Sequence, residues 1–193
     1  MRNGLKEIDN MKINHLPHSL IIGGVLVELY HDNKKIDLNT LDRSFTDFES
    51  YAAFGEFTKP EIVNKMTGNF HYKGIAFNGS GKGVLSYHVD FADKTGNGMI
   101  TGLKEHGDIT LHKARISDNI DSRLIGGHND RQPMSGIEGN ATGNALGVSA
   151  QYRLGFFGPN AEEIAGHIEV RNQDPMHKHT YTTHPIRFSG SRQ

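Results

Sequence analysis

The spacing of hydrophobic and polar positions changes near Gly68. Beyond it, apolar residues recur at every second position in short runs broken by Gly and Asn. Tyr87, Val89 and Phe91 alternate with Ser86, His88 and Asp90, and Leu146, Val148, Ala150, Tyr152 and Leu154 alternate with Gly147, Ser149, Gln151 and Arg153. A period of two is that of a strand with one buried face. Runs near 70–77, 84–91, 99–103, 109–116, 135–141, 146–156, 164–171 and 180–188 predict about eight antiparallel strands, the number that suits a small barrel filled by its own side chains. Asp93 to Gly98 supplies residues that tolerate positive φ, so it reads as the turn between two of these strands. Gly158 to Glu163 reads as a helical turn between two others, with Pro159 near its first helical position and acids at its positive end.

Before Gly68 the pattern is mixed. An apolar run, Leu20 to Leu29, is followed by a charged turn, Asp32-Asn33-Lys34-Lys35. Phe45, Phe48, Tyr51 and Phe54 then recur every third residue; with Thr46 and Glu49 spaced as a capping box and Gly55 as a stop, they predict one short amphipathic helix. The fold expected is mainly β: a small amino-terminal handle over residues 1–67, made of strands plus that helix, followed by an eight-stranded antiparallel β-barrel over 68–193. Composition agrees, since 23 Gly in 193 residues and only 35% hydrophobic residues disfavour a helical bundle. Leu20 to Leu29 is about half the length of a membrane-spanning helix and contains Gly23, Gly24 and Glu28, so it reads as folded structure.

With 21 basic and 22 acidic side chains and no basic block, a nucleic-acid partner held by charge is excluded. The absence of Cys removes disulfides and thiol nucleophiles together. No nucleophile turn or paired carboxylates stand out, and an enzyme finds no support. Asn78 to Gly83 has the look of a phosphate-binding loop, but Gly83 stands where a Ser or Thr is required, so a hairpin turn is the better reading.

The compositional excess is histidine, with 12 residues. His88, His112 and His167 fall on the polar faces of predicted strands, where solvated imidazoles are expected. His106 and His128 fall in loops. His177, His179 and His184 lack a fixed ligand geometry. His31 differs, because a strand through Val25, Val27 and Leu29 sets it at the end of an apolar wall. A flat apolar surface beside one ring nitrogen is what a porphyrin needs. Phe45, Phe48 and Tyr51 are candidates for the facing wall, with Lys34, Lys35 or Arg43 near the propionates. His15 and His18, around Pro17, are rival iron ligands, and an ordinary core capped by a surface histidine is the structural alternative.

Three blocks carry a family resemblance: Phe70 to Phe77, Gly83 to Gly98, and Tyr152 to Gly166 with its Gly-Phe-Phe-Gly and Glu-Glu-Ile-Ala-Gly segments. Together they resemble the carboxy-terminal barrel shared by the hemophilins, transferrin-binding protein B and factor H binding protein. Tyr51 to Phe57 resembles the passage from handle to barrel in such proteins. The resemblance implies a non-enzymatic protein, secreted or on the outer-membrane surface of a Gram-negative bacterium, exported through a Slam-type outer-membrane protein. A small handle on one barrel is most similar to the hemophilins, which implies a haemophore that binds haem or haemoglobin for iron acquisition. The further partners implied are a TonB-dependent outer-membrane receptor or a host protein. The alternative within the same superfamily is a host-protein-binding or colonisation factor that does not bind haem.

Overall fold

The computed structural model describes residues 5–31, 34–36, 52–79, 81–104, 106–121, 133–144, 146, 149–173 and 180–193. Their elements are β1 (Leu5–His15), β2 (Ser19–His31), β3 (Lys34–Ile36), β4 (Ala52–Gly55), the helix α1 (Pro60–Lys65), β5 (Asn69–Phe77), β6 (Lys82–Asp90), β7 (Thr95–Leu103), β8 (Gly107–Asp121), β9 (Pro133–Gly143), β10 (Ser149–Phe157), β11 (Glu163–Gln173) and β12 (Thr180–Arg192). Strands β5 to β12 pair antiparallel in chain order, and β12 returns to pair with β5, closing an eight-stranded barrel. Each predicted run from 70 onward overlaps one barrel strand. The mainly β architecture with a closed barrel is as the alternation predicts.

A separate sheet is formed by β1, β2, β3 and β4, with β2 central: β1 pairs along its length, β4 along its first residues and β3 along its last. The helix expected over 46–55 is corrected where the structure describes it. Residues 52–55 form β4, because Ala52, Ala53, Phe54 and Gly55 complete the edge of β2 through backbone pairing. The remainder of that segment, with Phe45, Phe48 and Tyr51, lies outside the described residues. The helix that does form, α1, begins with Pro60 in its first turn and Glu61 behind it, the arrangement favoured at a helix start. Its Val63 is fully buried in the barrel core, and the Lys94 ammonium donates to the carbonyls of Val63, Asn64 and Met66 at 2.9, 3.0 and 3.1 Å. The expected division at residue 68 thus falls between a helix that already packs in the barrel and the first barrel strand.

Inside the barrel, Tyr72, Tyr87 and Tyr152 are fully buried among Leu85, Ile100, Ile109, Phe156 and Phe188. Gly96 and Gly98, expected in a turn, are in β7 instead. The chain reverses one step earlier, through Phe91–Lys94, with Lys94 at φ +54°. A β-carbon at Gly96 would stand 2.8 Å from the Tyr87 ring, and one at Gly98 would collide with that ring too; the glycines make room for it. The segment after β10 is likewise a turn rather than a helical one, with Gly158 at φ +88° and Ala161 at φ +54°. The loop after β5 is the expected hairpin turn: the Asn78 N–H donates to the Gly81 carbonyl at 3.1 Å and the Gly81 N–H to Asn78 Oδ1 at 2.7 Å.

Tyr152 donates its hydroxyl to the His112 carbonyl at 2.8 Å, so in the 2.9 Å contact between the two phenols Tyr87 is the donor. Burial pushes Tyr152 up to about 12 and Tyr87 well above the ordinary tyrosine value of 10.0. Tyr152→Phe leaves the buried Tyr87 hydroxyl without this acceptor and is expected to cost about 1–3 kcal/mol in urea unfolding, whereas Tyr87→Phe, which leaves the His112 bond intact, costs less. Because the folded protein holds these protons more tightly than the unfolded chain, their contribution is complete below pH 10 and declines as pH rises toward 12. Tyr152→Phe should flatten that alkaline decline.

Candidate functional site

The sheet of β1–β4 is fastened to the outside of the barrel. Ile21 of β2 and Ala53 of β4 face each other in register and are buried with Phe77, Phe157, Ala165, Ile120 and Met134 on the barrel's outer wall. Phe57 joins them, its ring centroid 4.9 Å from that of Phe157. Polar bonds fix the register of this apolar seam. The Ser19 hydroxyl donates to Glu163 Oε2 at 2.7 Å and the His18 N–H to Oε1 at 3.0 Å, with Glu163 and Ser19 both buried. Asn14 Nδ2 donates to Ser189 Oγ at 2.8 Å, and Lys12 donates to the carbonyls of Asn78 and Gly79. The His18 ring lies over Gly158, where a β-carbon would stand 3.0 Å from it; only a residue without a side chain permits that approach.

The outer wall under the seam carries charge. Arg153, His167, Glu169 and Arg187 are all buried, and Arg153, His167 and Arg187 stand in register across β10, β11 and β12. Arg153 pairs with Glu138 at 3.1 Å and more closely with Glu169, which also meets Arg171 at 3.4 Å. His167 is therefore not the solvated histidine its alternation implies. Alternation places it outside the barrel correctly, but β2 packs over β11 and β12, so outside is not solvent.

The sequence-derived ligand residues are not brought together. His15 and His18 flank the turn between β1 and β2, where the Leu16 N–H donates to the Ser19 carbonyl at 2.7 Å, at the end of the hairpin clasped to Glu163. His31 is the last residue of β2, paired with Leu5 and Lys34. At roughly 3.3 Å per residue, the strand from Ser19 to His31 separates the two ends by about 40 Å. The register also slips between Ile8 and Asp9, leaving Val27 as an extra residue in β2. A bulge of this kind interrupts the alternation on which a single wall of Val25, Val27, Leu29 and His31 depends. Among the described residues no group of three or more His, Cys, Asp or Glu is placed to hold a metal ion, and no helix is long and apolar enough to cross a membrane. His128, His177 and His179 lie outside the described residues.

Histidines also line the barrel wall away from the seam. His71 and His88 stack with ring centroids 4.2 Å apart and planes 3° from parallel, and His71 Nε2 meets Ser86 Oγ at 2.8 Å. His112, on the same side, meets Thr142 Oγ1 at 2.8 Å. His88 and His112 are exposed, as the alternation predicts. What sequence reasoning missed is the pairing: the stack depends on a register between β5 and β6 that sets His71 opposite His88.

Two outcomes follow from these contacts. Glu163→Ala, which leaves the Ser19 hydroxyl and the His18 N–H without their shared acceptor, is expected to lower stability by about 1–3 kcal/mol in urea unfolding, and more than Ser19→Ala, which leaves one of the two bonds in place. Desolvation, then the charges of His88 and Lys73, hold His71 below the usual value of 6.5. The folded protein thus takes up that proton later than the unfolded chain does, so stability is full above pH 6.5 and falls as pH drops below it. His71→Gln should reduce this acid slope in pH-dependent denaturation.

Comparison with known proteins places the chain. Solved structures share its fold across almost its whole length at low identity. HpuA from Kingella denitrificans in complex with human haemoglobin matches at a TM-score of 0.55 and 13% identity, over 95% of this chain and 57% of that one. The apo haemoglobin receptor HpuA from the same organism matches at 0.53 and 13%, over 100% and 63%. The isotype 1 transferrin binding protein B of serogroup B Neisseria meningitidis matches at 0.49 and 18%, over 95% and 35%. The chain thus spans less than two thirds of the length of each. The model of the factor H binding protein, C-terminal, matches residues 62–168, just over half of the sequence, which takes in the last four residues of α1 and the barrel as far as the middle of β11. This chain therefore belongs to the factor H binding protein C-terminal family, whose members are binding proteins and not enzymes.

Proposed function

We propose that this chain captures haem for iron acquisition, free or from haemoglobin, on the surface of a Gram-negative bacterium or after secretion from it. The observation that carries the reading is the likeness to the haemoglobin receptor HpuA, which extends over the attached sheet as well as the barrel, covering 95–100% of this chain. In this reading the barrel supports export through a Slam-type exporter and docking on a TonB-dependent receptor, and the sheet of β1–β4 with the segment after β3 holds the cargo.

His31 is the proposed axial ligand. It stands at the end of β2 remote from the clasp, while the His18 backbone is engaged by Glu163 and its ring by Gly158. The β2–β3 register sets Lys34 opposite His31, which supports Lys34 as a cation for the propionates, with Lys35 next to it in the chain. Phe45, Phe48 and Tyr51 remain the proposed apolar wall. Burial of a macrocycle contributes about 25 cal/mol per Å² of apolar surface removed from water, and the iron–imidazole bond adds orientation.

Titration of the purified chain with hemin is expected to give a shifted Soret band at one equivalent, altered in His31→Ala and unaltered in His15→Ala. An unshifted band removes the haem reading and leaves the host-protein-binding one; an unchanged His31→Ala spectrum removes only that ligand.

A further inference from the structure

The barrel wall opposite the seam has a composition unlike the rest of the surface. Strands β6 and β7 contribute nothing to the apolar seam. Their outward side chains carry two of the three large apolar residues exposed among the described ones, Val84 at 59% and Met99 at 44%. These two sit on one patch, since Met99 pairs with Ser86 and Val84 with Thr101, which makes them diagonal neighbours on adjacent strands. On its other side Met99 pairs with Thr110 of β8. A shallow groove of ≈ 440 Å³ runs past Met99 between His88 and Lys113.

The rim of the patch carries two lysines and two imidazoles. Lys73, His88, His112 and Lys113 surround it, and all four are exposed. Acids lie toward the strand ends: Asp93 lines a neighbouring groove with Lys113 and Arg115, and two others cap turns. Asp90 Oδ1 accepts the N–H groups of Ala92 and Asp93 at 2.9 and 3.0 Å, and Asp108 Oδ1 accepts that of Gly102 at 3.1 Å. Three occupants can be weighed on this basis. An added strand is excluded, because β6 and β7 are each paired on both sides. A second copy docking the same face would set lysines against lysines. A highly charged polysaccharide has no use for an exposed valine and methionine at the centre. An apolar centre inside a charged rim is the anatomy of a protein interface, and methionine adapts its shape to what it meets.

We infer that the outward face of β6–β8 is a second docking surface, which takes an acidic, apolar-centred patch of the protein that carries the haem. This rests on the proposed haem reading and separates its two steps: the barrel wall holds the carrier while the sheet of β1–β4 receives the cargo. Charge complementarity sets the on-rate and Val84 with Met99 the residence time.

The test uses the full chain and human haemoglobin as the probe, by biolayer interferometry at low and physiological salt, with hemin titration in parallel. Met99→Glu and the pair Lys73→Glu with Lys113→Glu are all at exposed positions, and circular dichroism confirms their folding. Each is expected to weaken haemoglobin binding at least tenfold while leaving the hemin spectrum unchanged, and added salt is expected to weaken the wild type. Haemoglobin binding equal to wild type in these variants overturns the inference. So does a wild type that binds hemin but no haemoglobin, in which case the haem reading stands. Loss of heparin retention in the variants with haemoglobin binding untouched would assign the face to a polyanion and overturn it as well. Haemoglobin binding that the variants lose, in a chain that shows no hemin spectrum, supports the docking face and sinks the haem slot.

Discussion

Closure of the barrel is the constraint from which the other features of this protein derive. Once β12 has paired with β5, every barrel strand has a partner on both sides and no open edge is left for another strand to extend; the backbone bonds to the segment before the barrel are at the end of β10, where the Thr58 N–H donates to the Phe156 carbonyl and the Gly158 N–H to that of Glu56. What attaches to the barrel wall away from the strand ends therefore does so through side chains. The chain's own sheet does this on the β10–β12 side, where Ile21 and Ala53 meet Phe157 and Ala165 and the Glu163 carboxylate receives Ser19 and His18. The β6–β8 side keeps its outward side chains exposed.

The two sides differ in how they handle charge. Under the sheet, Arg153 is held between Glu138 and Glu169, and Glu163 is supplied with two donors, so the buried groups are met by opposite charge or by hydrogen bonds. Partners of this kind contribute less to net stability than to fixing one arrangement, because taking charges out of water offsets most of their attraction. The apolar seam supplies the driving force and Glu163 the register. On the far side, lysines and imidazoles stand in water around Met99 with no acid at the centre, which suits a surface that meets its counterpart only on association.

Inside, closure forces a choice of volumes. Tyr72, Tyr87 and Tyr152 fill the lumen with large rings, and Gly96 and Gly98 on β7 give way to one of them. The phenols then need acceptors in an apolar space, which they find in the Ala161 carbonyl, in one another and in the His112 carbonyl. The latter contact ties the packing of the lumen to a residue whose side chain lies on the exposed wall.

Alternation by itself determined the eight barrel strands and the inward set Tyr87, Val89, Phe91, Tyr152 and Leu154, because a period of two follows from backbone geometry and needs no partner. It also placed His88 and His112 outward. What it could not determine is what lies beyond the outer face: His167 alternates as His88 does, yet one is buried and the other exposed, and β2 packs over the strand that carries His167. Glycine was ambiguous for the same reason, as Gly96 and Gly98 carry the composition of a turn but answer to a ring on the neighbouring strand. Residues 52–55 read as helix from aromatic spacing and became an edge strand because β2 offered backbone partners. The proposed ligand residues show the limit most clearly: sequence could name His15, His18 and His31, but their separation along one hairpin is set by pairing between strands, a relation that local pattern does not contain.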